Sequence, residues 1–179
     1  TANGYRYIGM DHFAKIDDEL SRAQIEGTLQ RNFQGYSTKA ECDMVALGVS
    51  SISKIGSAYA CNPRELDDWL PPLKKDARHE PRYHLNEDDE LRRYVIMQIM
   101  CNFELKKKDV EDKFGIRFDE VFAYELGKMK PYVHHDLVEL YPDRLVVLPK
   151  GKIFVRAVAM QFDRYLRESN RAGGYSRIA

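Results

Sequence analysis

The chain has 179 residues, enough to bury the core of one domain, or of a small domain joined to part of another. Its 28 acidic and 28 basic residues cancel, which excludes a global field that would attract nucleic acid or an anionic membrane surface. No apolar run approaches the roughly 20 residues that a membrane-spanning helix requires. We therefore expect a globular protein with neither a membrane nor a nucleic-acid partner.

The three cysteines, Cys42, Cys61 and Cys101, are few and widely spaced. An odd, sparse set favours a reducing, cytoplasmic location over a disulfide-rich secreted protein. None of them shows the short spacing of a zinc or iron–sulfur site, and adjacent His134 and His135 would diverge on a helix. We predict no metal site built wholly from this chain.

The first fifty or so residues predict a strand, a helix and a second strand. Residues 5–10 alternate and are rich in aromatic and branched side chains, which favours a strand. A helix is expected after Asp18 and should end at Gly27. Residues 44–49 form an apolar run typical of a strand buried on both faces. This order indicates the closing βαβ stretch of an α/β barrel.

A short helix near Pro63 should be broken by Pro71 and Pro72. The charged residues 74–85 that follow are interpreted as a linker.

The remaining residues predict a separate small domain. Helices are expected after the capping residue Asn86, over residues 107–114 and from Phe118, where Val121, Phe122, Met129 and Val133 should share a buried face. A hairpin over 137–148 and a helix over 151–167 complete a winged-helix-like architecture. We thus predict an α/β barrel part at 1–73, a linker at 74–85 and a winged-helix-like domain at 86–179.

Asp11 and His12 are weak candidates for catalysis. They follow the first predicted strand, and functional residues of a barrel cluster at the carboxyl ends of its strands. An imidazole beside a carboxylate can move a proton or bind an acidic substrate. The simpler alternative is that both residues cap the following helix and fill the mouth of the barrel.

A second candidate site is the segment 32–36. The ring of Phe33 can stack on a nucleoside, the amide of Gln34 can bind its polar edge, and Gly35 permits close approach of the backbone. An ordinary turn entering a strand is the alternative. Residues 48–53 are small enough for a ligand to lie close, but they contain no dinucleotide-binding glycine fingerprint.

Five segments stand out in order along the chain: residues 7–14 (YIGMDHFA), 31–36 (RNFQGY), 47–50 (LGVS), 162–166 and 175–177. Together they resemble the oxygen-independent coproporphyrinogen III oxidases (coproporphyrinogen dehydrogenases), a family of radical S-adenosylmethionine enzymes in haem biosynthesis. The resemblance implies that the predicted barrel is the end of an incomplete (β/α)6 radical S-adenosylmethionine barrel.

The resemblance also implies cofactors and site residues. Family enzymes bind a [4Fe-4S] cluster and two molecules of S-adenosylmethionine, and Phe33, Gln34 and Ile52 match family positions linked to the second of these molecules or to activity. The chain lacks the cluster cysteines, so we expect it to be the C-terminal part of such an enzyme, inactive without its missing N-terminal part. Arg31 is a candidate partner for a substrate carboxylate.

The implied reaction converts two propionate side chains of coproporphyrinogen III to vinyl groups, giving protoporphyrinogen IX. A 5′-deoxyadenosyl radical abstracts a hydrogen atom from the propionate, and loss of CO2 and one further electron completes each step.

Two alternatives remain open. A haem-handling relative within the radical S-adenosylmethionine proteins would bind haem without making it. A winged-helix domain could instead bind nucleic acid, although six basic and six acidic residues between Lys107 and His135 leave little attraction for phosphate.

Overall fold

A computed structural model describes residues 3–39, 42–74 and 83–168 of the chain. The fold divides into two compact units. The larger unit joins residues 1–40 to residues 91–179, and the smaller unit is residues 41–90. This grouping by packing differs from the sequence-based boundaries, and the assignment of residues 1–73 and 86–179 to two domains stays a prediction.

The larger unit begins with two hairpins separated by a helix. The elements are β1 (Tyr5–Gly9), β2 (His12–Lys15), α1 (Glu19–Glu26), β3 (Gln30–Asn32) and β4 (Gly35–Ser37). The strand predicted at residues 5–10 and the helix after Asp18 are confirmed. The Asp18 carboxylate accepts a 2.8 Å hydrogen bond from the Leu20 amide, and Gly27 ends the helix in the left-handed conformation.

The predicted βαβ stretch is wrong for the described residues, whose strand ladders are all antiparallel. Positive φ angles at Gly9 (151°) and Met10 (56°) reverse the chain directly after β1, so that β1 pairs with β2. Residues 44–49 form no strand beyond one bridge between Met44 and Lys54, and Leu47 is 89% exposed. Among the described residues no pair of strands flanks this run, so it is not buried on both faces as a central strand would be.

The smaller unit is built on a three-stranded antiparallel sheet. Its elements are β5 (Ile52–Ile55), β6 (Ala58–Cys61), α2 (Leu66–Lys74) and β7 (Tyr83–His84). The helix runs through Pro71 and Pro72, so the predicted break there is wrong. Proline fixes φ near the helical value, and the lost hydrogen bonds fall in the last turn of a short helix. Most of the predicted linker lies outside the described residues.

The rest of the chain alternates short helices with a second sheet. Its elements are α3 (Glu87–Asn102), β8 (Glu104–Lys106), α4 (Lys107–Phe114), α5 (Phe118–Val121), α6 (Ala123–Lys128), α7 (Lys130–His134), β9 (Val138–Leu140), β10 (Arg144–Val147), a 3-10 turn (Pro149–Phe154), α8 (Val155–Met160) and α9 (Arg164–Glu168). The Asn86 cap, the helix at 107–114 and the β9–β10 hairpin are confirmed. Strand β8 was not predicted; it pairs with β10.

Two long helices of the sequence-based prediction are interrupted in the structure. The segment from Phe118 becomes α5, α6 and α7, and Val121 and Val133 are 41% and 39% exposed while Phe122 and Met129 are buried. The chain changes direction between α5, α6 and α7, so the buried positions do not follow the periodicity of a single continuous helix. The last segment likewise divides into the 3-10 turn, α8 and α9.

The core of the larger unit contains a charged group. The rings of Phe118, Phe122 and Phe162 pack together, with 4.8 Å between the first two ring centres and 5.6 Å between the last two. Beside them Glu125 is 1% exposed, and its Oε1 accepts hydrogen bonds from Arg92 (2.8 Å) and Arg167 (3.1 Å). Burial of this carboxylate depends on both guanidinium groups, because an unpaired buried charge is costly.

The cysteines should differ sharply in reactivity. Burial raises the pKa of the Cys101 thiol from 9.0 to about 12, whereas Cys42 is exposed and Cys61 is intermediate. Because the thiolate is the nucleophile, we expect iodoacetamide at pH 8 to label Cys42 first and Cys101 only on unfolding. Peptide mass spectrometry over time gives the order. Labelling of Cys101 as fast as Cys42 would contradict this packing.

The raised pKa of the Cys101 thiol makes the stability of the fold depend on pH in the alkaline range. The folded thiol keeps its proton where the unfolded thiol has lost it, so the Cys101 contribution to stability is complete below pH 9 and is lost as the pH rises toward 12.

Candidate functional site

Asp11 and His12 lie at the tip of the β1–β2 hairpin. The Tyr7 hydroxyl donates a 3.0 Å hydrogen bond to the Met10 carbonyl and so braces the turn. Asp11 Oδ1 lies 2.7 Å from His12 Nδ1, close enough for an ion pair when the imidazole is protonated, and the Asp11 side chain is 90% exposed. Because Asp18 caps the following helix, the alternative that Asp11 and His12 do so is wrong.

Phe33 and Gln34 form the two-residue loop of the β3–β4 hairpin. Asn32 Oδ1 accepts a 2.8 Å hydrogen bond from the Gln34 amide and fixes the loop. Gly35 follows at φ 136°, a conformation that favours glycine. The Phe33 ring is 57% exposed and Gln34 is exposed as well. An aromatic face and an amide are thus presented at the surface, where a ligand can reach both.

The two hairpin tips meet at Tyr36. The His12 and Tyr36 rings pack edge to face, with 5.2 Å between ring centres. A Cβ on Gly35 would lie 3.4 Å from His12 Nε2, so the second loop passes close to the imidazole. The Tyr36 hydroxyl donates to the Met100 carbonyl (3.4 Å) and fills the space left by the missing side chain of Gly9. The structure therefore brings Asp11 and His12 next to the Phe33–Gln34 loop.

Burial raises the pKa of Tyr36 above its ordinary value, so its phenol stays protonated and acts as a structural donor.

Ile52 is the first residue of β5, in the smaller unit, and is half-buried. The segment before it is a turn and not the end of a strand. Gly48 and Ser50 have positive φ angles, and the Gly48 carbonyl accepts hydrogen bonds from Ser51 Oγ (2.8 Å) and Asn62 Nδ2 (2.7 Å).

Sequence reasoning missed Gln24, which positions the first hairpin. Its Nε2 donates to the carbonyls of Ile8 (2.6 Å) and Cys101 (3.0 Å), and its Oε1 accepts from Arg6 Nε (2.8 Å). This side chain joins α1, β1 and α3 in the interior. No sequence signal marks it, because a glutamine in a short polar helix is ordinarily exposed.

The exposed side chains of Phe33 and Gln34 are better suited to contact a nucleoside than to bind a metal ion. An exposed ring can stack on a base, and an adjacent amide can both donate to and accept from its polar edge. Within the described residues, no three His, Cys, Asp or Glu side chains are placed to hold a metal ion. An exposed ring beside an amide is therefore compatible with the nucleoside part of S-adenosylmethionine, whereas the described residues offer no set of ligands for an iron–sulfur cluster.

The sequence and the fold of the chain are similar to those of known proteins. Residues 85–154 match the family model of the HemN C-terminal domain. The chain contains a HemN C-terminal domain. It is 46% identical over 171 residues to the oxygen-independent coproporphyrinogen III oxidase of Pseudomonas aeruginosa, covering 95% of this chain and 37% of that protein. The corresponding enzyme of Thermostichus vulcanus is 40% identical over 173 residues, covering 95% and 53%.

A solved structure gives the same result. It is described as "Coproporphyrinogen III oxidase (HemN) from Escherichia coli is a Radical SAM enzyme", and it superposes with a TM-score of 0.87 at 40% identity, over 92% of this chain and 38% of that one. The family resemblance drawn from the sequence is thus confirmed. The chain is homologous to a C-terminal portion of these oxidoreductases and spans well under two thirds of their length.

The comparisons support a mixed α/β fold shared with HemN. The finer description as the end of a barrel followed by a winged helix stays a prediction. No helix in the described part of the chain is long and apolar enough to cross a membrane.

Proposed function

We propose that this chain is the HemN C-terminal portion of an oxygen-independent coproporphyrinogen III oxidase acting in the cytoplasm. The whole protein would convert two propionate side chains of coproporphyrinogen III to vinyl groups. Each conversion releases CO2, one hydrogen atom and one further electron. The hydrogen atom is taken by the radical, and the electron passes to an electron acceptor. The 40% identity to the HemN structure over 92% of the chain carries this proposal.

Within that protein, this chain would bind and position one of two molecules of S-adenosylmethionine. Phe33 would stack on the adenine and Gln34 would bind its polar edge, because the β3–β4 loop exposes both side chains. Ile52 would add an apolar contact. S-adenosylmethionine, with a [4Fe-4S] cluster held by residues outside this chain, supplies the radical that starts the reaction.

Asp11 and His12 would face the same bound molecules. The His12 imidazole closely approaches Gly35, so the Asp11–His12 pair lies beside the loop formed by Phe33 and Gln34, here called the cofactor loop. A protonated His12 can donate to a substrate carboxylate, with the Asp11 carboxylate stabilising its charge. Both residues would orient the substrate and exclude water, while the cofactor supplies the oxidising chemistry.

Gln34→Ala tests this role in the full-length protein with its cluster reconstituted. We expect CO2 release from coproporphyrinogen III to fall by at least about a hundredfold, because removing a positioning contact near a reacting centre costs about that much. The matched control is Gln98→Ala on α3, because the Gln98 side-chain oxygen accepts a 2.9 Å hydrogen bond from Asn102 Nδ2 of the same helix.

The control should retain wild-type CO2 release. Undiminished release from Gln34→Ala, with cluster content equal to wild type, would exclude this role for the loop.

A further inference from the structure

A small cavity lies behind the cofactor loop, in the larger unit. It has a volume of about 170 Å3 and is bordered by β3, α3, α8 and the residues after α8. Its lining combines the thioethers of Met97, Met100 and Met160 with the charged side chains of Arg31, Arg156 and Asp163. This mixture of apolar walls and guanidinium groups is unusual for a cavity that only completes a core.

The two arginines in the lining have spare hydrogen-bonding capacity. Arg31 Nε is buried and has no hydrogen-bond partner among the described residues. Arg156 makes no hydrogen bond or ion pair with any residue that the structure describes. A guanidinium group has five N–H donors, so both side chains have donors left for water or for a ligand that enters the cavity.

The one carboxylate in the lining does not cancel this charge. Asp163 Oδ1 accepts a 3.1 Å hydrogen bond from the Leu166 amide in the first turn of α9. Two guanidinium groups against this one carboxylate leave the lining with a net positive charge. The cavity therefore favours an anion.

The apolar walls narrow the choice of anion. Methionine side chains are polarizable and adapt to an irregular apolar surface, while a guanidinium group matches a carboxylate with two parallel hydrogen bonds. Pockets that hold a whole ligand measure roughly 300–1,000 Å3, so a cavity of this size takes one arm of a larger molecule. The chemistry that fits is a carboxylate on a short aliphatic chain.

The position of Arg31 links the cavity to the cofactor loop. Arg31 lies in β3, two residues before Phe33, and its guanidinium carbon is 5.7 Å from the centre of the Tyr36 ring across the hairpin. The same Tyr36 ring contacts His12. A ligand arm bound at Arg31 would thus emerge beside the hairpin whose tip carries Phe33 and Gln34.

We propose that this cavity binds one propionate arm of the substrate, with Arg156 and Arg31 holding its carboxylate and the methionines contacting its methylene groups. This inference rests on the proposed function, because it takes coproporphyrinogen III as the ligand. The bound arm would act as an anchor that sets which of the other propionates reaches the radical.

The test measures binding of coproporphyrin III, the stable oxidised form that carries the same four propionates, to the full-length protein by fluorescence. We expect Arg156→Gln to raise the Kd at least about tenfold, since each charge-assisted hydrogen bond lost is worth that much. Arg31→Gln should act in the same direction. Arg117→Gln is the control, because Arg117 is exposed and pairs only with Glu120 in the described structure.

Two further measurements separate this inference from the proposed function. The tetramethyl ester of coproporphyrin III, which lacks the charges, should bind wild type and Arg156→Gln equally. Arg156→Gln should also bind S-adenosylmethionine as wild type does and retain its thermal unfolding temperature.

Equal Kd values for coproporphyrin III in wild type, Arg156→Gln and Arg31→Gln would overturn the anchor while leaving the proposed function intact. Failure of wild type to bind coproporphyrin III at all would overturn both.

Discussion

Replacing Glu125 by glutamine is expected to lower the free energy of unfolding by about 3–5 kcal/mol, the usual result of removing one partner from a buried ion pair. Glu125 Oε1 accepts from both Arg92 and Arg167, and the Arg92 side chain is only 11% exposed. The amide keeps the size of the side chain but loses its charge. Arg92, which also donates to the Phe162 carbonyl (3.0 Å), would then lose its buried carboxylate partner beside the Phe122 ring, whose centre is 5.4 Å from its guanidinium carbon.

The matched control is Glu120→Gln. Glu120 also pairs with an arginine, Arg117, but both side chains are largely exposed, so we expect a change of less than about 1 kcal/mol. Urea denaturation followed by circular dichroism measures both variants. If Glu125→Gln were no more destabilising than Glu120→Gln, the buried pair would not hold α3, α6 and α9 together.

Gly151→Ala is expected to destabilise the fold by roughly 3 kcal/mol, at the upper end of the cost of overpacking. A Cβ on Gly151 would overlap the Leu137 carbonyl oxygen and would lie 2.7 Å from the Leu137 carbonyl carbon. These are backbone atoms at the start of the β9–β10 hairpin and cannot rotate away. The Leu148 amide also donates to this carbonyl (2.9 Å), so movement would break a hydrogen bond.

Gly127→Ala is expected to change the stability in the opposite direction. Gly127 lies within α6, and a Cβ there meets nothing within 4 Å, so alanine should raise the stability by about 0.5–1 kcal/mol through its helix propensity. Thermal unfolding of the two variants gives the comparison. A Gly151→Ala protein as stable as wild type would show that the turn before α8 can move away from the hairpin.

Local signals in the sequence predicted the structure well. The caps at Asp18 and Asn86 and the left-handed end at Gly27 were placed correctly, because the hydrogen bonds that define them join residues only a few positions apart. The β9–β10 hairpin was predicted for the same reason.

Features that depend on distant partners were not predicted. The apolar run at residues 44–49 could be a buried strand only if other strands flanked it, and in the described structure it pairs through one isolated bridge. Likewise the Tyr36 hydroxyl fills the space that the missing side chain of Gly9 leaves, a contact across 27 positions that periodicity cannot reveal.

The assignment of Phe33 and Gln34 to a cofactor stays a prediction. Physical reasoning left a nucleoside contact and an ordinary turn as alternatives, and the family resemblance favoured the first. The structural roles of Tyr36 and Gln24 were not predicted, because they come from hydrogen bonds to backbone groups of other elements, Met100 and Cys101 among them. Arg156 carries no sequence signal, since a surface arginine and one that lines a cavity look alike.

The most direct test of the account is anaerobic turnover by the full-length protein with a reconstituted cluster, S-adenosylmethionine, an electron acceptor and coproporphyrinogen III. The account predicts two molecules of CO2 for each protoporphyrinogen IX formed. Absence of product and CO2 from protein whose cluster is fully formed would contradict it, and tight binding of haem by the same preparation would favour the haem-handling alternative.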